Sequence, residues 1–139
     1  MDNTTQTKNT QTIQSIYAAF TRGDIPAILA QLSDDVDWNN DRVASKECPW
    51  NGNFSGKANV PGFFKAVGEN LDITVFDARA FLESEGHVAV FLRVASTVRK
   101  NGKPLKNDVM HLWKFNSKGQ VSGYRHFNDT AAELVAWRA

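Results

Sequence analysis

Two histidines late in the chain, His111 and His126, have side chains suited to moving protons near neutral pH, because imidazole titrates at about pH 6.5. Tyr124 and Asn128 stand two residues before and after His126, so an extended strand would project all three side chains from one face. Such groups can donate hydrogen bonds to a carbonyl or enol oxygen, or exchange protons with it. We therefore take His111, Tyr124 and His126 as candidate catalytic residues for acid–base chemistry on a small molecule.

Asp129 is a further catalytic candidate. The run Thr130-Ala-Ala-Glu133 has the spacing of a helix capping box, in which Thr130 would be the N-cap. Asp129 would then be free of the capping role and available to a pocket as the second acid or base. The alternative is that Asp129 only interacts favourably with the dipole of the helix that follows.

His111 is predicted to lie on a β-hairpin whose turn is Asn101-Gly102. Asn-Gly is the strongest short-range hairpin signal, and here it separates two runs in which apolar residues alternate. A two-residue loop at this position pairs Leu92 with His111. The even-numbered residues from 88 to 98 then share a face with His111, and that face is almost entirely apolar.

A second turn, at residues 116–119, continues this sheet. Pairing Phe115 with Gln120 would place Tyr124 opposite His111, with His126 on the diagonal. Apolar walls with a few converging polar groups are typical of a small-molecule cavity. The alternative is that the histidines are core residues, each satisfied by a hydrogen bond. The residues expected to contact a ligand are aromatic or carry an amide: Trp38, Trp50, Trp113, Asn128, Tyr17 and Phe63.

The whole chain, residues 1–139, is predicted to be a single α+β domain. Apolar residues at helical spacing precede a series of alternating strands, and a long polar loop at residues 40–57 separates two of the helical segments. The polar residues 1–10 are expected to be a flexible lead-in. The helices are predicted at residues 13–20, 25–32, 59–71 and from residue 130.

Composition excludes several classes of function. Sixteen basic and fifteen acidic residues give a net charge of +1, so no nucleic-acid or anionic membrane partner is expected. No apolar run approaches the roughly 20 residues of a membrane span. The single cysteine, Cys48, rules out an internal disulfide and favours a reducing, cytoplasmic location. Without Cys-x-x-Cys, His-Glu-x-x-His or Gly-rich phosphate motifs, no metal or other cofactor is expected.

The order of helices before a long sheet, with Arg22-Gly23-Asp24 after the first helix and Leu32-Ser33-Asp34-Asp35-Val36 after the second, resembles the nuclear transport factor two-like superfamily. Within it the chain is similar to SnoaL-like proteins and ketosteroid isomerases. Further matching pieces are Trp50-x-Gly52 with Phe54-x-Gly56, the run 111–115 and the segment 119–130. The resemblance implies a cone of helices packed on a strongly curved antiparallel sheet. It does not imply one reaction, because the superfamily includes enzymes and binding modules.

The similarity to ketosteroid isomerases also implies which positions to compare. Those enzymes use an aspartate base, and an oxyanion hole made of a tyrosine and a protonated aspartic acid. The resemblance puts Asn40 at the base, Ile16 at the tyrosine and His111 at the protonated acid. Only His111 could still donate a hydrogen bond to an oxyanion. Tyr17 is one residue from the tyrosine position, about 100° round a helix.

The sequence therefore predicts a pocket for a small hydrophobic molecule. It favours an isomerase, lyase or cyclase type of enzyme that uses histidine acid–base chemistry on a carbonyl or enol metabolite. The alternative is a non-catalytic ligand-binding or dimeric interaction module, which the lack of a carboxylate clearly on the cavity face favours.

The outer face of the sheet is predicted to be too apolar for water, so a homodimer through this face is expected. Arg93 and Arg125 would lie there as interface or surface residues. Asp77 and Arg79 would join the inner face if Glu85-Gly86 is a two-residue turn. The apolar residues assigned to the outer face are Ala89, Phe91, Met110, Leu112 and Phe127.

Overall fold

The computed structural model describes residues 4–139, and it contains helices packed on a curled five-stranded sheet. The strand order is β1-β5-β4-β3-β2, and every pair is antiparallel except β1 and β5, which are parallel. The α+β fold class is confirmed. The elements are α1 (Thr4–Thr21), α2 (Ile25–Leu29), β1 (Leu32–Trp38), a 3-10 turn (Lys57–Asn59), α3 (Val60–Asn70), β2 (Leu71–Ser84), β3 (His87–Val98), β4 (Pro104–Phe115), β5 (Val121–Phe127) and α4 (Thr130–Arg138).

Helix α1 packs against α2, β2 and β3 through the apolar stripe that contains Ile13, Ile16 and Tyr17, all buried. The helix begins at Thr4, so most of the segment expected to be a flexible lead-in is helical, and residues 1–3 lie outside the described part of the chain. The backbone N–H of Thr10 donates to Glu83 Oε1 at 3.0 Å, which ties this first part of the helix to β2. None of the helices within residues 4–139 combines the length and apolar character that crossing a membrane requires.

Helix α2 is shorter than the apolar spacing predicts. Asp24 caps it, with Oδ1 accepting from the backbone N–H of Ala27 at 3.2 Å. It ends at Leu29, and Leu32 opens β1 instead of extending the helix. The sheet takes this segment because Leu32 pairs with Val121 of β5 and is completely buried there.

The β3–β4 hairpin differs from its predicted register by two residues. His111 pairs with Val90, not Leu92. The loop contains four residues, 99–102, because Val98 donates its backbone N–H to the carbonyl of Lys103. Inside the loop, Gly102, at φ 71°, donates its backbone N–H to the carbonyl of Val98. A slip of two residues preserves side-chain parity, so His111 stays on the predicted face.

The β4–β5 pairing also differs by two residues. His111 pairs with His126, and Trp113 pairs with Tyr124. A bulge after Lys114 makes Phe115 pair with Val121 instead of Gln120. The two histidines are therefore direct cross-strand neighbours, and Tyr124 is the diagonal one.

Asp77 and Arg79 lie on the outer face of β2, although Ser84 pairs with His87 and the Glu85-Gly86 turn has the expected two residues. A bulge between Ala78 and Ala80 changes which residues face inward. Asp77 and Arg79 form an exposed ion pair at 2.8 Å. Neither residue is available to the inside of the sheet.

Candidate functional site

A cavity of about 110 Å³ lies between the inner face of the sheet and helices α1 and α3. It is of the same order as the engineered apolar cavity of about 150 Å³ known to bind benzene. The six predicted ligand contacts all line it, namely Trp38, Trp50, Trp113, Asn128, Tyr17 and Phe63. Three of the predicted catalytic residues line it as well: His111, Tyr124 and His126.

The apolar walls are mainly aromatic and centre on Trp38. Its ring stacks on Tyr124 at a centroid distance of 4.3 Å, and it meets Phe63 and Trp113 edge-on at 5.5 and 5.8 Å. Strand β1 can place Trp38 there because β1 pairs with β5, which puts Trp38 beside Tyr124. These rings form a rigid surface suited to a flat ligand.

A chain of hydrogen bonds joins α1 to β4 inside the cavity. Trp113 Nε1 donates to Tyr17 Oη at 3.0 Å, and Tyr17 Oη lies 2.8 Å from His111 Nδ1. Both Ile16 and Tyr17 face the sheet, so the hydroxyl of Tyr17 reaches the site despite its one-residue offset from the isomerase position. The resemblance to ketosteroid isomerases put Tyr17 about 100° round the helix from the tyrosine position, because helix geometry alone was considered.

The rings of His111 and His126 are nearly perpendicular, with centroids 5.2 Å apart. The ring centroids of His111 and Tyr124 are 5.1 Å apart, which confirms that these side chains are close, as the hairpins predicted. Within residues 4–139, neither His126 Nε2 nor Trp38 Nε1 has a hydrogen-bond partner, although both atoms are buried. Unpaired buried polar atoms are uncommon in folded proteins and call for an explanation at each position.

Burial keeps all four titratable rings of the cavity uncharged. It lowers the pKa of His111 well below the usual value, and the neighbouring His126 lowers that pKa further. The pKa of His126 is also lowered by burial, with the charge of Glu133 acting in the opposite direction. Burial raises the pKa of both Tyr17 and Tyr124, so the two phenols keep their protons.

Glu133 is a cavity residue that the sequence analysis missed. Its buried carboxylate accepts four hydrogen bonds, and it lines the cavity beside Asn128 and Trp50. The capping-box pattern gave Glu133 a local role, and only the folded chain brings residues 45–51 to it. The donors are Ser45 Oγ (2.6 Å), Asn51 Nδ2 (2.7 Å), Asn128 Nδ2 (2.8 Å) and Trp50 Nε1 (3.1 Å).

Asp129 does not line the cavity, and its predicted freedom from capping is wrong. Asp129 is the N-cap of α4, with Oδ1 accepting from the backbone N–H of Ala132 at 3.1 Å, and Thr130 is the first helical residue. The backbone N–H of Asp129 donates to Asn107 Oδ1 at 3.1 Å, and the backbone carbonyl of Asp129 accepts from Asn107 Nδ2 at 3.2 Å. Because Asp is among the most favourable N-cap residues, it takes the role that the pattern gave to Thr130.

The SnoaL-like domain family matches residues 13–124, which is most of the chain, and the chain belongs to this family. No protein of curated function matches the sequence significantly.

Solved structures agree with this family assignment. An NTF2-like protein of unknown function from Burkholderia pseudomallei superposes with a TM-score of 0.84 at 26% identity, covering 95% of this chain and 98% of that one. TerC, co-crystallised with polyporic acid, has a TM-score of 0.81 at 25% identity, with 95% and 99% covered. A proposed polyketide cyclase from Xanthomonas campestris, at 17% identity, TM-score 0.74 and coverage of 95% and 98%, is similar in fold alone.

Proposed function

We propose that the cavity binds a small, mainly apolar or aromatic molecule that carries a carbonyl or enol oxygen. The observation that carries this proposal is a pair of buried nitrogens that have no partner among residues 4–139, His126 Nε2 and Trp38 Nε1, on two residues that line a mainly apolar cavity. A ligand oxygen would satisfy them and so offset the free-energy cost of leaving them unpaired. TerC supports the ligand class, because polyporic acid is an aromatic compound with both carbonyl and enol oxygens.

We propose further that the protein is an isomerase, lyase or cyclase type of enzyme that uses histidine acid–base chemistry, in which His126 transfers the proton and His111 donates a hydrogen bond to the substrate oxygen. A neutral imidazole both donates and accepts a proton, so two neutral rings 5.2 Å apart could hold a substrate oxygen and remove a proton near it. Glu133 provides the negative charge beside His126 that would stabilise its protonated form. The alternative is a non-catalytic binding module. The lack of a cavity carboxylate favoured that alternative in the sequence, and the presence of Glu133 in the cavity lining supports an enzyme instead.

Titration with a matched pair of compounds tests the binding proposal. Acetophenone and α-methylstyrene have nearly the same shape, but only acetophenone has an oxygen. We expect acetophenone to bind more tightly and to raise the melting temperature, because a ligand that binds only the folded state stabilises it. His126→Leu should remove this preference, whereas His87→Leu, on the outer side of β3, should keep it. If neither compound binds the wild-type protein, the proposed function is wrong.

We also propose that the protein is a homodimer through the outer face of the sheet. Leu82 and Phe127 are 62% and 55% exposed there, and Phe91, Met110 and Leu112 are only half-buried. A second copy of this face would cover it, since its charges already occur as balanced pairs such as Arg93 with Asp108. Arg125 bonds Asp37 at this face, as expected of a surface residue.

A further inference from the structure

We propose that the hydrogen-bond chain from Trp113 through Tyr17 holds His111 as its Nε2–H tautomer, which makes the cavity selective for ligands with a hydrogen-bond-accepting oxygen at that ring. For the ligand class, this inference rests on the proposed function. For the tautomer, it rests on the hydrogen bonds that Tyr17 makes with His111 and Trp113. Tyr17 acts here as a positioning residue, because it works through His111.

The direction of the chain follows from what each group can donate. The indole N–H of Trp113 can only donate, so the 3.0 Å contact makes Tyr17 Oη its acceptor. Among residues 4–139, the hydroxyl proton of Tyr17 then has one acceptor within reach, His111 Nδ1 at 2.8 Å. A nitrogen that accepts a hydrogen bond carries no proton, so a neutral His111 has its proton on Nε2.

The protonation states needed for this chain are those that burial imposes. Burial raises the pKa of Tyr17, so its hydroxyl remains a donor. Burial also lowers the pKa of His111, so Nδ1 keeps the lone pair that accepts from Tyr17. In a protonated His111, Nδ1 would carry a proton and become a donor. The hydroxyl proton of Tyr17 would then lose its acceptor.

The remaining polar atoms of the cavity show what the tautomer selects. His111 Nε2 makes no hydrogen bond to any residue between 4 and 139 and is left for a ligand, and the unpartnered N–H of Trp38 is a second donor. Two donors in an apolar cavity favour acceptor oxygens, such as a ketone, a quinone or an enolate. A ligand with only donor groups at His111 would leave its own proton and the ring N–H facing each other.

Nitrogen NMR of the protein labelled with ¹⁵N-histidine tests the tautomer directly, without any ligand. We expect a protonated, pyrrole-like Nε2 and an unprotonated, pyridine-like Nδ1 for His111, with the resonances assigned by their loss in His111→Gln. Tyr17→Phe should abolish this pattern and give a mixture of tautomers. Tyr124→Phe is the matched control, since it removes another buried phenol 5.1 Å from the His111 ring that makes no hydrogen bond to it.

Selectivity is measured with acetophenone and α-methylstyrene on the same proteins. Tyr17→Phe should weaken acetophenone binding roughly 3- to 10-fold relative to α-methylstyrene binding, as expected for one weakened hydrogen bond. A protonated Nδ1 in the wild type, or an unchanged spectrum in Tyr17→Phe, would overturn the proposal. If the spectrum is as expected but neither compound binds, the ligand selectivity is overturned together with the proposed function, and only the tautomer assignment stands.

Discussion

His111 and His126 face each other across β4 and β5 but have different surroundings. His111 has a firm hydrogen-bond partner in Tyr17, whereas His126 has an unpartnered Nε2 and the charge of Glu133 nearby. The first ring is thus fixed in one orientation by the protein, and the second is better placed to gain or lose a proton. Two imidazoles in one apolar cavity can therefore do different work.

Replacing His111 by glutamine separates a functional role from a structural one. The glutamine amide can still accept from Tyr17, so we expect the free energy of unfolding to change by no more than about 1 kcal/mol. Turnover of a substrate should fall roughly 10²- to 10³-fold, as is usual when one hydrogen-bond donor to a developing oxyanion is lost. Urea denaturation and steady-state kinetics measure the two effects. A large loss of stability with unchanged ligand affinity would make His111 a structural residue.

The two cavity histidines, of which His111 is buried and His126 half-buried, should also make the protein less stable in mild acid. In the unfolded chain each titrates near pH 6.5, and in the folded protein burial lowers the pKa of both. Below pH 6.5 the unfolded state therefore binds more protons, and stability falls as pH falls, by up to about 1.4 kcal/mol per pH unit for each histidine. Urea denaturation between pH 7.5 and 5 measures the slope. His111→Gln should reduce it, and an unchanged slope in this variant would contradict the prediction.

Glu133 shows why part of the site could not be read from the sequence. The Thr130-to-Glu133 spacing has a sufficient local explanation, so nothing in the pattern points to a buried carboxylate. Three of its four donors come from residues 45–51, more than eighty positions earlier, where the loop has no periodicity from which to infer facing. His111 and Tyr124 were predictable because strand alternation alone fixes their face.

At the scale of elements, the hairpins explain which predictions were confirmed. Parity is unchanged by a two-residue slip, so the inner faces of β3, β4 and β5 follow from alternation even though both registers differ from the prediction. A glycine with positive φ, such as Gly102, serves two-residue and four-residue loops alike, so loop length was not determined. The single-residue bulges in β2 have no sequence signal, and the one between Ala78 and Ala80 reversed the expected facing of Asp77 and Arg79.

Glu133 joins three elements, namely the 40–57 loop, the end of β5 and helix α4. Glu133→Ala removes the acceptor that four donors share, of which Asn51 Nδ2 alone among them keeps a second acceptor, the carbonyl of Ser45. We therefore expect it to cost at least about 3 kcal/mol of stability and to expose the loop to proteolysis. Glu47→Ala is the matched control, because Glu47 forms an exposed ion pair with Arg138 and its loss should have little effect. Equal effects of the two substitutions would contradict the linking role of Glu133.

At the scale of the whole molecule, the inner and outer faces of the sheet have different surroundings. The inner face holds the cavity, and the outer face carries the apolar patch around Phe127 and Leu82. The same alternation that places His111 inside places Met110 and Leu112 outside. Dimer formation through the patch would stiffen the strands that hold the cavity without contributing a residue to it.

A charge on the outer face should separate the proposed dimer. We expect the wild-type protein to sediment as a dimer at micromolar concentration and Phe127→Asp to sediment as a monomer, because an unpaired carboxylate would be buried between the copies. Val135→Asp is the control, since Val135 is 72% exposed on α4, away from the sheet. A monomeric wild-type protein, or dissociation by Val135→Asp, would contradict this interface.

The bonding of Glu133 has a consequence for how the protein is made. The cavity takes Tyr17 from α1 and Glu133 from α4, so its walls are complete only after residue 133 has left the ribosome. Until then Ser45 and Trp50 lack the carboxylate that accepts their hydrogen bonds in the folded protein. A ligand could therefore be captured by the complete cavity only after α4 has been made, and could not assist the early stages of cotranslational folding.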